Sequence, residues 1–244
     1  MLLAAKTDVG LKRENNQDSY TFGEIMPGVC FAVVCDGMGG ASEGEFASHE
    51  CVKIVSKRIT DGYYDGISEL SMRALLVSSL EYANKKIYEK SLGDKKYEGM
   101  GTTAVIAVVT PDSAYIAHAG DSRAYLICPD EKIIMQLTRD HSVVQRMVDD
   151  GTITEAQAVD HPKKHLITRA IGVDKTVRVD FDQEDISPGN IILLCTDGLT
   201  NYLTVEELAA KAGAAPLEKF VTDIVNTAIS NGGGDNITAV AICV

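Results

Sequence analysis

Four aspartates stand where very apolar runs begin or end, each beside a glycine. FAVVC runs into Asp36-Gly37, AYIAHAG into Asp121, and IILLCT into Asp197-Gly198. The last apolar run is entered through Gly232-Gly233-Gly234-Asp235-Asn236. A carboxylate in such a place sits at the mouth of a core. Several like charges are not tolerated there without a cation. The neighbouring glycines let backbone carbonyls turn toward the same point. Taken singly, each Asp-Gly is an ordinary turn dipeptide. Taken together, the four point to a cation site built from oxygen. No His or Cys stands at ligand spacing and no DxDxDG calcium loop occurs, so Mg²⁺ or Mn²⁺ is favoured over zinc or calcium.

The rest of the chain supplies a core for such a site. VCFAVVC, Val29–Cys35, is apolar on both faces and reads as a central strand. Further strands are expected at Leu2–Lys6, Ser19–Gly23, Thr102–Val109, Ala114–Ala119, Ala124–Cys128, Lys132–Leu137, Val177–Phe181, Asn190–Cys195 and Ile237–Val244. Helices are expected at Ser42–Ile59, opened by a Ser42-x-x-Glu45 capping box, and at Ser68–Ser91, with Leu75, Leu80, Ala83, Ile87 and Tyr88 on one face. Two more are expected at Thr204–Ala212 and Pro216–Ser230. Residues 138–172 are polar, hold two short helices and three histidines, and read as an insertion between strands. No linker or repeat divides the 244 residues, which predicts one α+β domain over 1–244.

Composition excludes several classes of function. Lys and Arg number 23 against 35 Asp and Glu, a formal net charge of −12. That balance disfavours nucleic-acid and anionic-membrane surfaces. No run approaches the roughly 18 apolar residues of a membrane helix, and the N-terminus lacks a signal-peptide pattern. The six cysteines form no CxxC pair and read as core residues in a reducing cytoplasm.

The order of motifs resembles the metal-dependent protein phosphatase family, the protein phosphatase 2C-like serine/threonine phosphatases, and especially its compact bacterial members. The opening motif is Thr7-Asp8-Val9-Gly10 through Arg13 and Asn16-Gln17-Asp18. Asp36-Gly37-Met38-Gly39-Gly40, Gly101-Thr102-Thr103-Ala104, Gly120-Asp121-Ser122-Arg123, Cys195-Thr196-Asp197-Gly198-Leu199 and Asp235-Asn236 follow in register. The resemblance implies a four-layer αββα sandwich, two antiparallel sheets flanked by helix pairs, with 138–172 as a flap.

It also implies roles. Asp36 would bridge two Mn²⁺ or Mg²⁺ ions, with Asp197 and Asp235 completing the first and Asp18 and the Gly37 carbonyl serving the second. Asp121, with Asp197, would hold a third ion. Arg13 would clamp the phosphate, its planar fork suited to two phosphoryl oxygens; Lys12 and Arg169 are the next candidates. His161, beside Pro162, is a candidate substrate contact in the flap, with a structural turn as the alternative. The expected reaction is hydrolysis of phosphoserine and phosphothreonine on proteins by a water activated between two metals. The implied partners are phosphoprotein substrates and a Ser/Thr kinase whose targets the enzyme, expected to act as a monomer, would dephosphorylate. Met38 replaces the His that follows Asp-Gly in animal relatives, and Gln17 replaces their Glu. Protonation of the leaving group is therefore without an assigned residue, and a metal-bound water is the first candidate. The alternatives are a hydrolase of small phosphate esters and an inactive scaffold. Retention of Asp18, Asp36, Asp197 and Asp235 argues against the scaffold. His118, in an apolar strand, is expected to be a hydrogen-bonded core residue.

Overall fold

The computed structural model describes residues 1–40 and 43–244. The chain runs β1 (Leu2–Asp8), β2 (Asp18–Met26), β3 (Val29–Met38), α1 (Glu43–Gly62), α2 (Glu69–Gly93), β4 (Gly101–Thr102), β5 (Ala104–Val109), β6 (Ser113–Ala119), β7 (Arg123–Cys128) and β8 (Ile133–Gln136). It continues through α3 (Val143–Asp149), α4 (Glu155–Val159), β9 (Asp180–Asp185), β10 (Ile191–Cys195), α5 (Asp197–Thr200), α6 (Val205–Lys211), α7 (Leu217–Ser230) and β11 (Ile237–Cys243). One sheet has the order β1-β11-β10-β7-β8, the other β2-β3-β5-β6-β9, with β4 paired to β3. All pairings are antiparallel.

The layering follows from alternation along β3. Val29, Phe31, Val33 and Cys35 pack with α1 and α2 residues such as Val55, Ile59, Leu76 and Leu80. Cys30, Ala32 and Val34 point the other way, against Ala124, Leu126, Ile192, Leu194 and Val240 of the second sheet. A strand apolar on both faces must be covered on both. The second sheet is covered in turn by Leu208, Phe220, Val221, Ile224 and Val225 of α6 and α7. The result is the αββα sandwich expected from the resemblance.

Helix starts follow their caps. Ser68 accepts from the Ser71 N–H at 3.2 Å, and Thr204 forms a reciprocal capping box with Glu207. The box expected at Ser42 lies outside the described residues. The strand expected at Val177–Phe181 lies further on, at Asp180–Asp185. Its sequence, DFDQED, is polar because it is the edge partner of β6 and is held by backbone pairing. The Asn190–Cys195 and Ser19–Gly23 expectations become Ile191–Cys195 and the longer Asp18–Met26. The six cysteines are free, four of them buried. Among the described residues no helix is long and apolar enough to cross a membrane.

Candidate metal centre

The site forms at one end of the sandwich because both sheets deliver aspartates there. Asp18 opens β2 and Asp36 lies near the end of β3, and antiparallel pairing sets them directly opposite each other. Like charges in that relation repel. Asp197 follows β10 and Asp235 precedes β11, neighbours in the other sheet. Asp36, Asp121, Asp197 and Asp235 line one cleft of about 620 Å³, together with Arg13, Gly37, Lys164 and His165. The strand-end aspartates and the opening motif therefore meet in space.

Threonines hold Asp18 across the gap between the sheets. Thr238 Oγ1 and Thr196 Oγ1 donate to Asp18 Oδ2 at 2.6 and 3.0 Å. Thr7 Oγ1 contacts Thr238 Oγ1 at 2.7 Å and accepts from Asn16 Nδ2 at 2.9 Å. Asn236 staples the 9–17 loop: its Nδ2 donates to the carbonyls of Val9 and Asn15, and its Oδ1 accepts from the Gln17 N–H. These three threonines were not singled out as separate candidates in the sequence. A hydroxyl two residues into an alternating strand is a faint signal, and its acceptor is 178 or 220 residues away.

The carboxyl groups are poised for a cation. Burial pushes the pKa values of Asp18, Asp36, Asp121 and Asp197 upward, and their mutual repulsion adds to the shift. Asp18 Oδ1 is buried without a hydrogen-bond partner. An orphaned buried carboxylate oxygen is costly unless something absent from the protein satisfies it. These features fit a divalent ion, and the all-oxygen donor set suits Mn²⁺ or Mg²⁺. Gly37 must be glycine, since a Cβ would overlap the Gly44 carbonyl oxygen and lie 2.6 Å from that of Gln17.

Arg13 reaches the cleft and donates to Asp235 Oδ2 at 2.8 Å. Asn201 Nδ2 donates to Asp197 Oδ2 at 3.0 Å. Asp121 and Asp197 also line an adjoining cleft of about 360 Å³ that runs beneath α3 and α4. In the 138–172 segment Lys164 and His165 face the main cleft. His161 instead accepts from the Lys163 N–H at 3.1 Å, the local turn that was its alternative reading. Arg169 pairs with Asp180 at 2.8 Å, away from the cleft lining. His118 is the buried, hydrogen-bonded core histidine expected, bound to the Arg139 carbonyl at 3.0 Å.

Comparisons with known proteins bear on the family and the fold. Residues 11–238 match the protein phosphatase 2C family. The protein phosphatase PhpP of Streptococcus pneumoniae is 36% identical over 244 residues, 99% of this chain and 97% of its own length. The S. agalactiae serine/threonine phosphatase structure superposes with a TM-score of 0.91 at 33% identity, covering 100% of this chain and 99% of that one. The catalytic domain of the serine/threonine protein phosphatase PstP, solved in complex with two manganese ions, gives 0.83 at 29% identity over 98% and 96%. The chain belongs to the protein phosphatase 2C family.

Proposed function

We propose that this protein hydrolyses phosphoserine and phosphothreonine esters on proteins, using two Mn²⁺ or Mg²⁺ ions and, in one state, a third. The observation that carries the reading is the cluster of buried carboxyls whose pKa values burial and mutual repulsion push upward, with one Asp18 oxygen left without a partner. When bound, the ions neutralise the phosphoryl charge and acidify a water so that it can attack phosphorus. Asp36 would serve two ions, Asp197 and Asp235 one, Asp18 and the Gly37 carbonyl the other, and Asp121 with Asp197 the third. The two manganese ions in the PstP structure support the count for this chain.

Arg13 is the phosphate clamp. Its guanidinium stands at the cleft rim and can turn from Asp235 to a phosphoryl group, offering two parallel donors. Segment 138–172 serves as the flap of one catalytic domain spanning 1–244. The groove beneath it gives a peptide room beyond the phosphorylated side chain. A Ser/Thr kinase is the natural opponent of an enzyme that removes phosphate from Ser and Thr, and the free cysteines suit a reducing cytoplasm.

Phosphopeptide hydrolysis measured with Mn²⁺, with Mg²⁺ and after chelation tests the reading. Turnover restored by either ion after chelation is expected. Full activity in the presence of excess chelator would overturn it.

A further inference from the structure

Outside the carboxylate cluster, His118, His141 and Asp180 bring metal-ligating atoms within 4.8 Å of one another. A cation already sits there, however, as part of the protein. Arg169 Nη1 lies 2.8 Å from Asp180 Oδ1 and 2.9 Å from His141 Nε2. Arg169 and Asp180 therefore pair within the group, and the proton on the imidazole can be placed from donors that cannot reverse.

His141 Nδ1 lies 3.0 Å from the Gly120 N–H. Two fixed donors meet the ring, the Gly120 amide at Nδ1 and Arg169 Nη1 at Nε2, and a neutral imidazole accepts from only one of them. Arg169 Nη1 already donates to Asp180 Oδ1, so the buried Gly120 amide takes the lone pair on Nδ1, the ring carries its proton on Nε2, and the 2.9 Å approach of Arg169 to Nε2 is not a hydrogen bond. Nε2–H then donates to Asp180 Oδ2 at 3.1 Å. Main-chain bonds repeat the link: His141 N–H donates to the Gly120 carbonyl at 3.0 Å, and the His141 carbonyl accepts from the Thr168 N–H at 2.6 Å. The ring is buried and stacks on His118 with centroids 4.6 Å apart. One side chain thus joins both roots of the 138–172 segment, β9, and the turn that presents Asp121.

That turn has little freedom of its own. Gly120 has φ +121°, and a Cβ there would lie 2.5 Å from Thr103 Cβ. Ser122 on its other side shares a 2.7 Å contact with Thr103 Oγ1. Thr103 is itself bonded to the backbone of Asp36 through its N–H and its Oγ1. The direction in which Asp121 points is set by these neighbours, and only His141 among them comes from the flap root.

We infer that His141 is a positioning residue: through the Gly120 amide it fixes Asp121 for the third cation, and through Asp180 and Arg169 it ties that ligand to the base of the flap. This rests on the proposed role of Asp121. Occupancy of the third site and the seating of the flap are then linked through one imidazole in one tautomer.

Two substitutions separate the two ends of the ring. Asn places an amide oxygen near the position of Nδ1, and Gln places an amide nitrogen near that of Nε2. His141→Asn should keep the Gly120 bond and bind the third Mn²⁺ nearly as the wild type does. His141→Gln should keep the Asp180 bond yet bind the third Mn²⁺ about 10- to 100-fold more weakly, the usual cost of losing a partner that orients a ligand. The measurement is a Mn²⁺ titration followed by electron paramagnetic resonance of the free ion, beside the melting temperature of each metal-free variant and an Asp121→Ala control. A merely structural histidine predicts third-ion affinities that follow melting temperature, and that result overturns the inference. Normal third-ion binding in His141→Gln with weakened binding in Asp121→Ala overturns the role of His141 alone. Two binding steps in the wild type, or no change in Asp121→Ala, overturns the Asp121 assignment and this inference with it. Nitrogen NMR of the metal-free protein should show Nδ1 unprotonated and Nε2 protonated at neutral pH; the opposite tautomer also overturns it.

Discussion

Arg13 Nη2 donates to Asp235 Oδ2 at 2.8 Å, joining residues 222 positions apart. The proposed phosphate clamp and a proposed metal ligand are thus in contact with each other. The Arg13 side chain is half exposed, and its pKa is raised chiefly by the bond to Asp235. The guanidinium lends Asp235 a counter-charge.

Arg13→Ala is therefore expected to raise KM for phosphopeptide clearly while lowering kcat less than Asp197→Ala does. Loss of the exposed ion pair should also tighten Mn²⁺ binding slightly, by less than about fivefold, because such pairs are worth up to about 1 kcal/mol. Arg13→Lys should restore only part of KM, since an ammonium lacks the fork. Steady-state kinetics with parallel Mn²⁺ titrations check this. An unchanged KM would assign the clamp elsewhere.

The metal-free protein should lose stability as pH rises. Asp18 is pushed up to about 7 and Asp121 to about 8, with burial the main cause for both. An acid whose pKa is higher in the folded state takes up protons on folding. Its stabilisation is complete below the unfolded value near 4 and drains away as pH climbs through the folded value. Melting temperature without metal should fall between about pH 5 and 8, and Mn²⁺ should raise it most at the upper end. Asp36→Asn should flatten the metal-free profile and abolish most turnover. A metal-free melting temperature that rises over this range would contradict the reading of the carboxyls.

Thr238→Val removes the 2.6 Å donor to Asp18 at constant shape, in a fully buried position. Asp18 would then retain Thr196 as its remaining side-chain donor. The expected cost is about 1–3 kcal/mol, the range for a buried polar group that loses a hydrogen-bond partner, together with weaker binding of the second Mn²⁺. Chemical denaturation with and without Mn²⁺ measures both. A neutral result in each would remove Thr238 from the site.

His165 faces the cleft from the flap. His165→Ala should raise KM for a phosphopeptide roughly fivefold, equivalent to about 1 kcal/mol, and leave KM for a small aryl phosphate near the wild-type value. Equal effects on the two substrates would place His165 at the phosphoryl group itself.

Much of the architecture was legible because it depends on local periodicity. VCFAVVC is apolar at every position, so β3 had to be covered on both faces, and α1 with α2 and the second sheet do so. Ser68 and Thr204 marked helix starts through their own side chains. The edge strand β9 was misplaced because DFDQED carries no apolar pattern; its place is dictated by the backbone of β6.

The site divides along the same line. Which carboxylates exist, and that each borders an apolar run, could be read from the chain alone, since charge and apolar character are written residue by residue. Packing of the sheets sets Asp18 opposite Asp36 across a strand pair, brings Thr196 and Thr238 to Asp18 from the opposite sheet, and builds His141, not His161, into the framework at the root of the 138–172 segment. These relations join residues as far apart as 220 positions. A hydrogen bond acts over about 3 Å, so nothing in the local chain records its partner until the sheets have packed.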